Sequence, residues 1–115
     1  LYEPLHPAVL RIIQGVVQSA HQAGIPVAIC GEMAAEPAYA IILLGLGLDE
    51  FSMNPVSIPK VKKMLRMLRF EETRSLVEQL FQFQTASEIE RHVRKWMNER
   101  LPKDFIQWHI EDLRT

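Results

Sequence analysis

A short strand followed by a helix constrains the fold of this chain more than any other feature. The apolar run Val27–Cys30 leads into a glycine-containing turn, and the apolar segment Ala38–Leu46 begins directly after Pro37. Proline suits the first helical turn, where its missing N–H is not needed, and glycine suits the end of a helix. Gly45 and Gly47 are therefore expected to end this helix.

Residues 49–53, Asp-Glu-Phe-Ser-Met, complete the pattern as a second short strand. Two strands joined through a helix run parallel, so this segment is predicted to be a strand–helix–strand unit of an α/β fold. Enzymes of this class place their active sites at the carboxyl ends of the strands. Cys30, the only cysteine, occupies such a position and is the first candidate for chemistry.

The residues alone allow two interpretations of Cys30. A cysteine at the end of an apolar strand can be a small buried side chain, inert because burial disfavours the thiolate. It can also lie at the mouth of a site, facing the helix that Pro37 begins. The neighbouring Glu32 could orient the thiol, although support of the loop through backbone N–H groups is favoured. Gly31 could let the backbone approach a ligand or form a plain turn.

The remaining titratable residues are expected to have structural or surface roles. Asp49 and Glu50 precede the apolar part of the second strand and so lie at its amino end, away from Cys30. His6, which precedes a proline, is predicted to cap the first helix or to line the rim of the fold. The other histidines are predicted to lie on helix surfaces, and they are His21, His92 and His109.

Helical periodicity describes most of the rest of the chain. The first helix is predicted to begin at Pro7 and to stop at Gly24. Its apolar positions recur at helical spacing and are expected to form one buried stripe, made of Val9, Leu10, Ile13, Val16, Val17 and Ala20.

Three further helices and a last helical turn are predicted after the second strand. One runs from Ile58, capped by Ser57, to about residue 69, and the next runs over 71–83. Thr85 and Glu88 form a capping box, in which the threonine side chain bonds the N–H three residues on and the glutamate reaches back. The helix that follows ends at Pro102, and residues 105–113 are expected to add one or two helical turns.

Composition excludes several classes of function. Thirteen basic and fourteen acidic residues give a net charge of −1, which offers no electrostatic case for nucleic acid or for an anionic membrane. One cysteine cannot form an internal disulfide, and no Cys/His cluster indicates zinc, so a cytoplasmic location is expected. No stretch reaches the roughly 20 apolar residues of a membrane span, and no signal peptide is evident.

Three motifs in register resemble the phosphoenolpyruvate (PEP)-utilising enzymes. They are Tyr2–Leu10, Cys30-Gly31-Glu32-Met33-Ala34 and Leu44–Met53. The resemblance is greatest to the Enzyme I group of PEP–protein phosphotransferases. It implies an α/β fold that is the C-terminal fragment of a TIM (β/α) barrel, with one or two last strands. Since a full barrel takes about 250 residues, 115 residues can hold only its end. Residues 1–70 would form the closing βα units and residues 71–115 a C-terminal helical tail.

The resemblance also implies a reaction. In this family the phosphoryl group of PEP passes to a histidine and then to an HPr-like phosphocarrier protein. Cys30 matches the cysteine that donates the proton to the pyruvate enolate. Beside it, Gly31 and Glu32 are the candidate substrate-binding residues, on the strength of their position in the loop alone. The family's Mg²⁺ ligands, phosphate-binding arginines and phosphohistidine lie on segments that this chain does not contain. The fragment alone is therefore expected to be inactive.

Two alternatives remain open. The Cys-Gly-Glu loop is shared with pyruvate phosphate dikinase and PEP synthase, so the chain could be a fragment of either. It could also be a non-catalytic helical module that mediates oligomerisation. Strand edges and apolar helix faces that lack their barrel neighbours recruit partners, so the isolated chain is expected to form a homodimer or a higher oligomer.

Overall fold

The computed structural model of the chain describes residues 5–30 and 36–103. It contains five helices and two strands within these ranges. In chain order they are α1 (Pro7–Gln22), β1 (Ala28–Cys30), α2 (Pro37–Leu46), β2 (Glu50–Ser52), α3 (Ile58–Arg66), α4 (Phe70–Leu80) and α5 (Ala86–Arg100). The predictions for residues 105–113 lie outside the described residues.

The two strands form a parallel sheet, as the strand–helix–strand pattern predicted. Ala28 pairs with Glu50, Ile29 with Phe51 and Cys30 with Ser52. The central pair packs against the hydrophobic core, whereas the pairs on either side of it are exposed. The described structure is mostly helical, and its small parallel sheet is compatible with the predicted α/β class. Among the described residues, one face of the sheet contacts the helices and the other face is open.

Helix α2 is the centre of the core. Every residue from Pro37 to Leu43 is buried, which explains why the segment is apolar on all sides rather than amphipathic. Pro37 begins the helix as predicted, and Gly47 ends it in a left-handed conformation with φ of 97°. The prediction for Gly45 was wrong, because this residue lies inside the helix. A β-carbon there would lie 2.6 Å from Val77 Cγ2 and closer still to the Thr73 carbonyl oxygen, so glycine permits α4 to pack closely on α2.

The predicted stripe on α1 is only half correct. Leu10 and Val17 are buried, but Val9 and Val16 are 36% and 54% exposed. Ile12, which lies beside them on the helix surface, is 67% exposed. The periodicity identified a helix with two apolar faces, and the described part of the chain covers only one of them.

The last three helices complete the layer that covers α2. Helix α3 ends at Arg66, three residues before its predicted end, and the Ser57 side chain makes no capping hydrogen bond. The capping box of α5 is present in a modified form. The Glu88 N–H donates to Thr85 Oγ1 over 3.2 Å, and the Thr85 hydroxyl donates to the Glu88 carboxylate over 2.9 Å. The glutamate thus accepts from the hydroxyl instead of reaching the backbone N–H of Thr85.

Candidate functional site

The carboxyl end of the sheet carries Cys30, the predicted catalytic residue. Cys30 is the last residue of β1, and its free thiol is exposed. Ile29, one residue earlier, points to the core, so the alternation of a strand directs Cys30 to the opposite, open face. This position is inconsistent with the interpretation of Cys30 as a buried and inert side chain. It leaves the thiol accessible to a small molecule.

Ser52 lies beside Cys30 on the neighbouring strand. It is the last residue of β2 and the register partner of Cys30. Residues opposite each other on adjacent strands point to the same face of a sheet, and the strands lie about 4.8 Å apart. The open face therefore presents a thiol and a hydroxyl side by side at its carboxyl edge. Gly31 and Glu32, the predicted substrate-binding residues, lie outside the described residues, and their roles stay predictions.

The amino end of the sheet is held by Asp49. One carboxylate oxygen of Asp49 accepts a hydrogen bond from the Val27 N–H and contacts His21 Nε2, each over 2.7 Å. The Val27 carbonyl oxygen in turn accepts from the N–H groups of Asp49 and Glu50. The backbone N–H of Val27, followed by the hydrogen bond to His21, lowers the pKa of the Asp49 carboxyl below its ordinary value of 3.8. Asp49 thus has the structural role that its position predicted.

A groove adjoins the Asp49 network, between α1, the end of α2 and α4. Its volume is about 800 Å³, and its polar lining includes His21, Asp49 and Arg74. Neither Cys30 nor Ser52 lines this groove. Parallel strands of α/β enzymes carry their chemistry at the carboxyl ends, so we assign the candidate site to the exposed face at Cys30 and not to this groove.

The other histidines agree with their predicted roles where they are described. His6 caps α1 through Nδ1, which accepts from the Ala8 N–H over 3.1 Å. His92 lies on α5, and its Nε2 contacts Gln79 Oε1 over 2.9 Å. His109 lies outside the described residues. Over residues 5–30 and 36–103, no three His, Cys, Asp or Glu side chains come together as a metal site.

The length and composition of the described helices can be compared with those of a membrane-spanning helix. None of them is long and apolar enough to cross a bilayer. This finding concerns only the part of the chain for which helices are described.

Comparison with known proteins connects this geometry to a family. Residues 1–70 match the model of the PEP-utilising enzyme, PEP-binding domain family. The match includes the α1, β1, α2 and β2 elements and the exposed Cys30. The chain belongs to this family. The resemblance that the three motifs indicated is therefore confirmed.

Individual relatives support the same assignment. The chain is 38% identical to the phosphoenolpyruvate-protein phosphotransferase of Haemophilus influenzae over 99 residues, which are 86% of this chain and 17% of the relative. It is 45% identical to the enzyme of that name from Cupriavidus necator, over 71% of this chain and 14% of the relative. It is 49% identical to multiphosphoryl transfer protein 1 of Escherichia coli, over 78% of this chain and 11% of the relative. The chain spans less than a fifth of the length of these curated relatives.

Sequence reasoning missed two features of this PEP-utilising domain. The first is Ser52, which can be found only once the register of the strands is known. The second is the contact between His21 and Asp49, which are 28 residues apart. The contact between His21 and Asp49 could have been anticipated in part from the sequence. The first helix ends just before β1 and Asp49 lies just before β2, so both residues lie near the amino ends of the two paired strands.

Proposed function

We propose that this chain is the C-terminal part of the PEP-binding domain of a PEP–protein phosphotransferase. In this proposal residues 1–70 supply the closing βα units of a TIM barrel, and the helices after residue 70 cover them. The observation that supports it best is the exposed Cys30 thiol at the carboxyl end of a parallel strand, within the region that the family model matches. A barrel keeps its active site at this end of its strands.

The role of Cys30 in this proposal is general acid catalysis. Loss of the phosphoryl group from PEP leaves the enolate of pyruvate, whose methylene carbon must take up a proton. The Cys30 thiol donates that proton, the sulfur becomes a thiolate, and pyruvate is formed. In the reverse direction the thiolate removes a proton from the methyl group. A thiol can act in both directions near neutral pH, which a hydroxyl cannot.

The proposal assigns the other parts of the reaction to a longer protein. The phosphoryl group would pass to a histidine outside this chain and on to an HPr-like phosphocarrier. Magnesium would neutralise charge on the phosphate. The described residues do not supply three clustered ligands for the ion. This chain contributes the proton donor and one wall of the pocket.

A chimera tests the role of Cys30. The chain would replace the segment that it matches in the Haemophilus influenzae phosphoenolpyruvate-protein phosphotransferase. Two quantities would be measured: pyruvate formation from PEP, and exchange of the pyruvate methyl protons in D₂O followed by NMR. Cys30→Ser should reduce both by roughly 100- to 10,000-fold, the usual contribution of general acid–base catalysis. Exchange at the rate of the unsubstituted chimera would refute the proposed role.

Protection from alkylation tests whether PEP binds next to Cys30. A small thiol reagent should label Cys30 quickly in the chimera, and PEP should slow the labelling. The matched control combines Cys30→Ser with Ser19→Cys, which moves the only thiol of this segment to an exposed position on α1. PEP should not protect that thiol. Equal protection at both positions would show a global effect and would contradict binding at the sheet edge.

The exposed stripe on α1 supports self-association as a second property. Val9, Ile12 and Val16 are 36%, 67% and 54% exposed and lie on one side of the helix. A second copy of the chain could cover this apolar stripe, which agrees with the expectation of a homodimer. Sedimentation equilibrium should give an oligomer that Ile12→Gln dissociates. Val56→Gln is the control, because Val56 is 76% exposed but lies in the loop before α3. A monomeric wild-type chain would contradict self-association.

A further inference from the structure

Ser52 and Cys30 form a pair at the open edge of the sheet. They are the last residues of two adjacent parallel strands and are register partners. Ile29 and Phe51, the pair before them, pack on the core, so both Cys30 and Ser52 face away from it. At a strand spacing of about 4.8 Å, rotation about one side-chain bond can bring the serine oxygen within hydrogen-bonding reach of the sulfur.

The Ser52 hydroxyl is available for this contact. Among residues 5–30 and 36–103, neither the Ser52 hydroxyl nor the Cys30 thiol bonds to another group. The buried Thr73 hydroxyl differs, because it donates to the Phe70 carbonyl oxygen over 2.7 Å. The Thr85 hydroxyl is likewise engaged by Glu88. Ser52 thus places a hydroxyl that has no other partner among the described residues next to the only thiol in the chain.

We infer that Ser52 is a positioning residue for Cys30, whose hydroxyl donates a hydrogen bond to the sulfur when Cys30 is a thiolate. The inference rests on the proposed function for its meaning in catalysis. Proton donation to the enolate leaves the sulfur negatively charged, and a hydroxyl donor stabilises that charge. The same bond holds the sulfur over the open face, where the methylene carbon would lie. Ser52 keeps its own proton in this role, because it donates a hydrogen bond and transfers nothing.

Other charged groups near Cys30 have to be held constant in a test. Glu50 lies on the same face of β2, two residues before Ser52, and Glu32 and Glu36 follow Cys30 in the chain. All three remain in each variant compared below. Their effects on the sulfur therefore cancel, and a difference between variants reports the group at position 52.

The pH profile of Cys30 alkylation in the 115-residue chain tests the inference. A net hydrogen bond is worth about 0.5–1.5 kcal/mol, so Ser52→Ala should move the midpoint of the profile up by about half to one pH unit. A more basic thiolate is also a better nucleophile, so the plateau rate should rise about two- to threefold. A loss of access would instead lower the plateau.

Two control variants define the outcomes. Ser52→Thr retains the hydroxyl and should keep the wild-type midpoint, because threonine is also favoured in strands. Ser19→Ala makes the same chemical change on the exposed surface of α1 and should have no effect. The inference is overturned if Ser52→Ala leaves the midpoint unchanged. It is also overturned if Ser52→Thr or Ser19→Ala shifts the midpoint by the same amount.

The experiment also separates this inference from the proposed function. Alkylation of the isolated chain requires neither PEP nor turnover. A shifted midpoint together with normal turnover of the Cys30→Ser chimera would uphold the contact between Ser52 and Cys30 and refute the catalytic role. An unshifted midpoint together with lost turnover would do the opposite.

Discussion

The two ends of the same small sheet differ in how their polar groups are used. At the amino end, Asp49 is bonded to the Val27 N–H and to His21, and α2 ends tightly against its neighbours at Gly45 and Gly47. At the carboxyl end, Cys30 and Ser52 are exposed and unbonded among the described residues. The three residues of each strand thus connect a hydrogen-bonded network at one end to two side chains that bond to no described residue at the other.

This difference indicates that the amino end of the sheet stabilises the fold and that the carboxyl end carries the reactive groups. Hydrogen bonds and close packing at the amino end fix where β1 and β2 lie relative to α2. The carboxyl end can then carry reactive groups, because its position is already determined by contacts made elsewhere. Substitutions at the amino end should therefore change stability, and substitutions at the carboxyl end should change only reactivity.

Gly45→Ala should have the largest effect on stability. A β-carbon at this position would overlap the Thr73 carbonyl oxygen and lie 2.6 Å from Val77 Cγ2, so α2 and α4 would have to move apart. Overpacking costs up to about 3 kcal/mol, and alanine regains about 1 kcal/mol of helix propensity. The free energy of unfolding should fall by about 2 kcal/mol, as measured by urea denaturation.

Gly15→Ala is the matched control for this substitution. Gly15 lies within α1, and a β-carbon there would meet nothing within 4 Å. Only the gain in helix propensity remains, so stability should rise by about 0.5–1 kcal/mol. Equal changes at the two glycines would show that the approach of α4 to α2 does not matter for stability.

Asp49→Ala should have the next largest effect. The substitution removes the acceptor for the Val27 N–H and the contact with His21 at the start of both strands. The melting temperature should decrease by a few degrees, measured by circular dichroism. Glu50→Ala is the control, because Glu50 is the adjacent carboxylate and is exposed on the open face of β2. Equal melting temperatures for the two variants would contradict a structural role for Asp49.

The stabilisation by Asp49 should depend on pH. Its pKa is lowered in the folded state, so its contribution is present above the unfolded value near 3.8 and is lost as the pH falls through the lower folded value. The difference in melting temperature between wild type and Asp49→Asn should shrink as the pH falls below about 4. A difference that grows on acidification would show that the sign is wrong.

The bounds of the helices and strands could be predicted from the sequence better than the contacts between them could. Pro37 and Gly47 specify local backbone geometry, and the bounds of α2 followed from them. Gly45 differs, because its role depends on the approach of α4, almost thirty residues later in the chain. The exposure of Val9 and Val16 could not be foreseen either, since periodicity identifies an apolar helix face but not whether another segment covers it.

The candidate site shows the same limit. Cys30 was found from local signals, namely the end of an apolar run and a following glycine. Ser52 was not found, because its proximity to Cys30 depends on strand register, and a shift of one residue would have placed it on the other face. The residues that a helix–strand pattern positions directly were predictable, and the residue that pairing brings alongside was not.

The smallest expected effect concerns the carboxyl end itself. The double substitution Cys30→Ser and Ser52→Ala should change the free energy of unfolding by less than about 0.5 kcal/mol, because both side chains are exposed and neither is bonded to another described residue. Urea denaturation beside Gly45→Ala gives the comparison directly. A loss approaching that of Gly45→Ala would mean that the open edge also stabilises the fold, and the division between the two ends of the sheet would have to be abandoned.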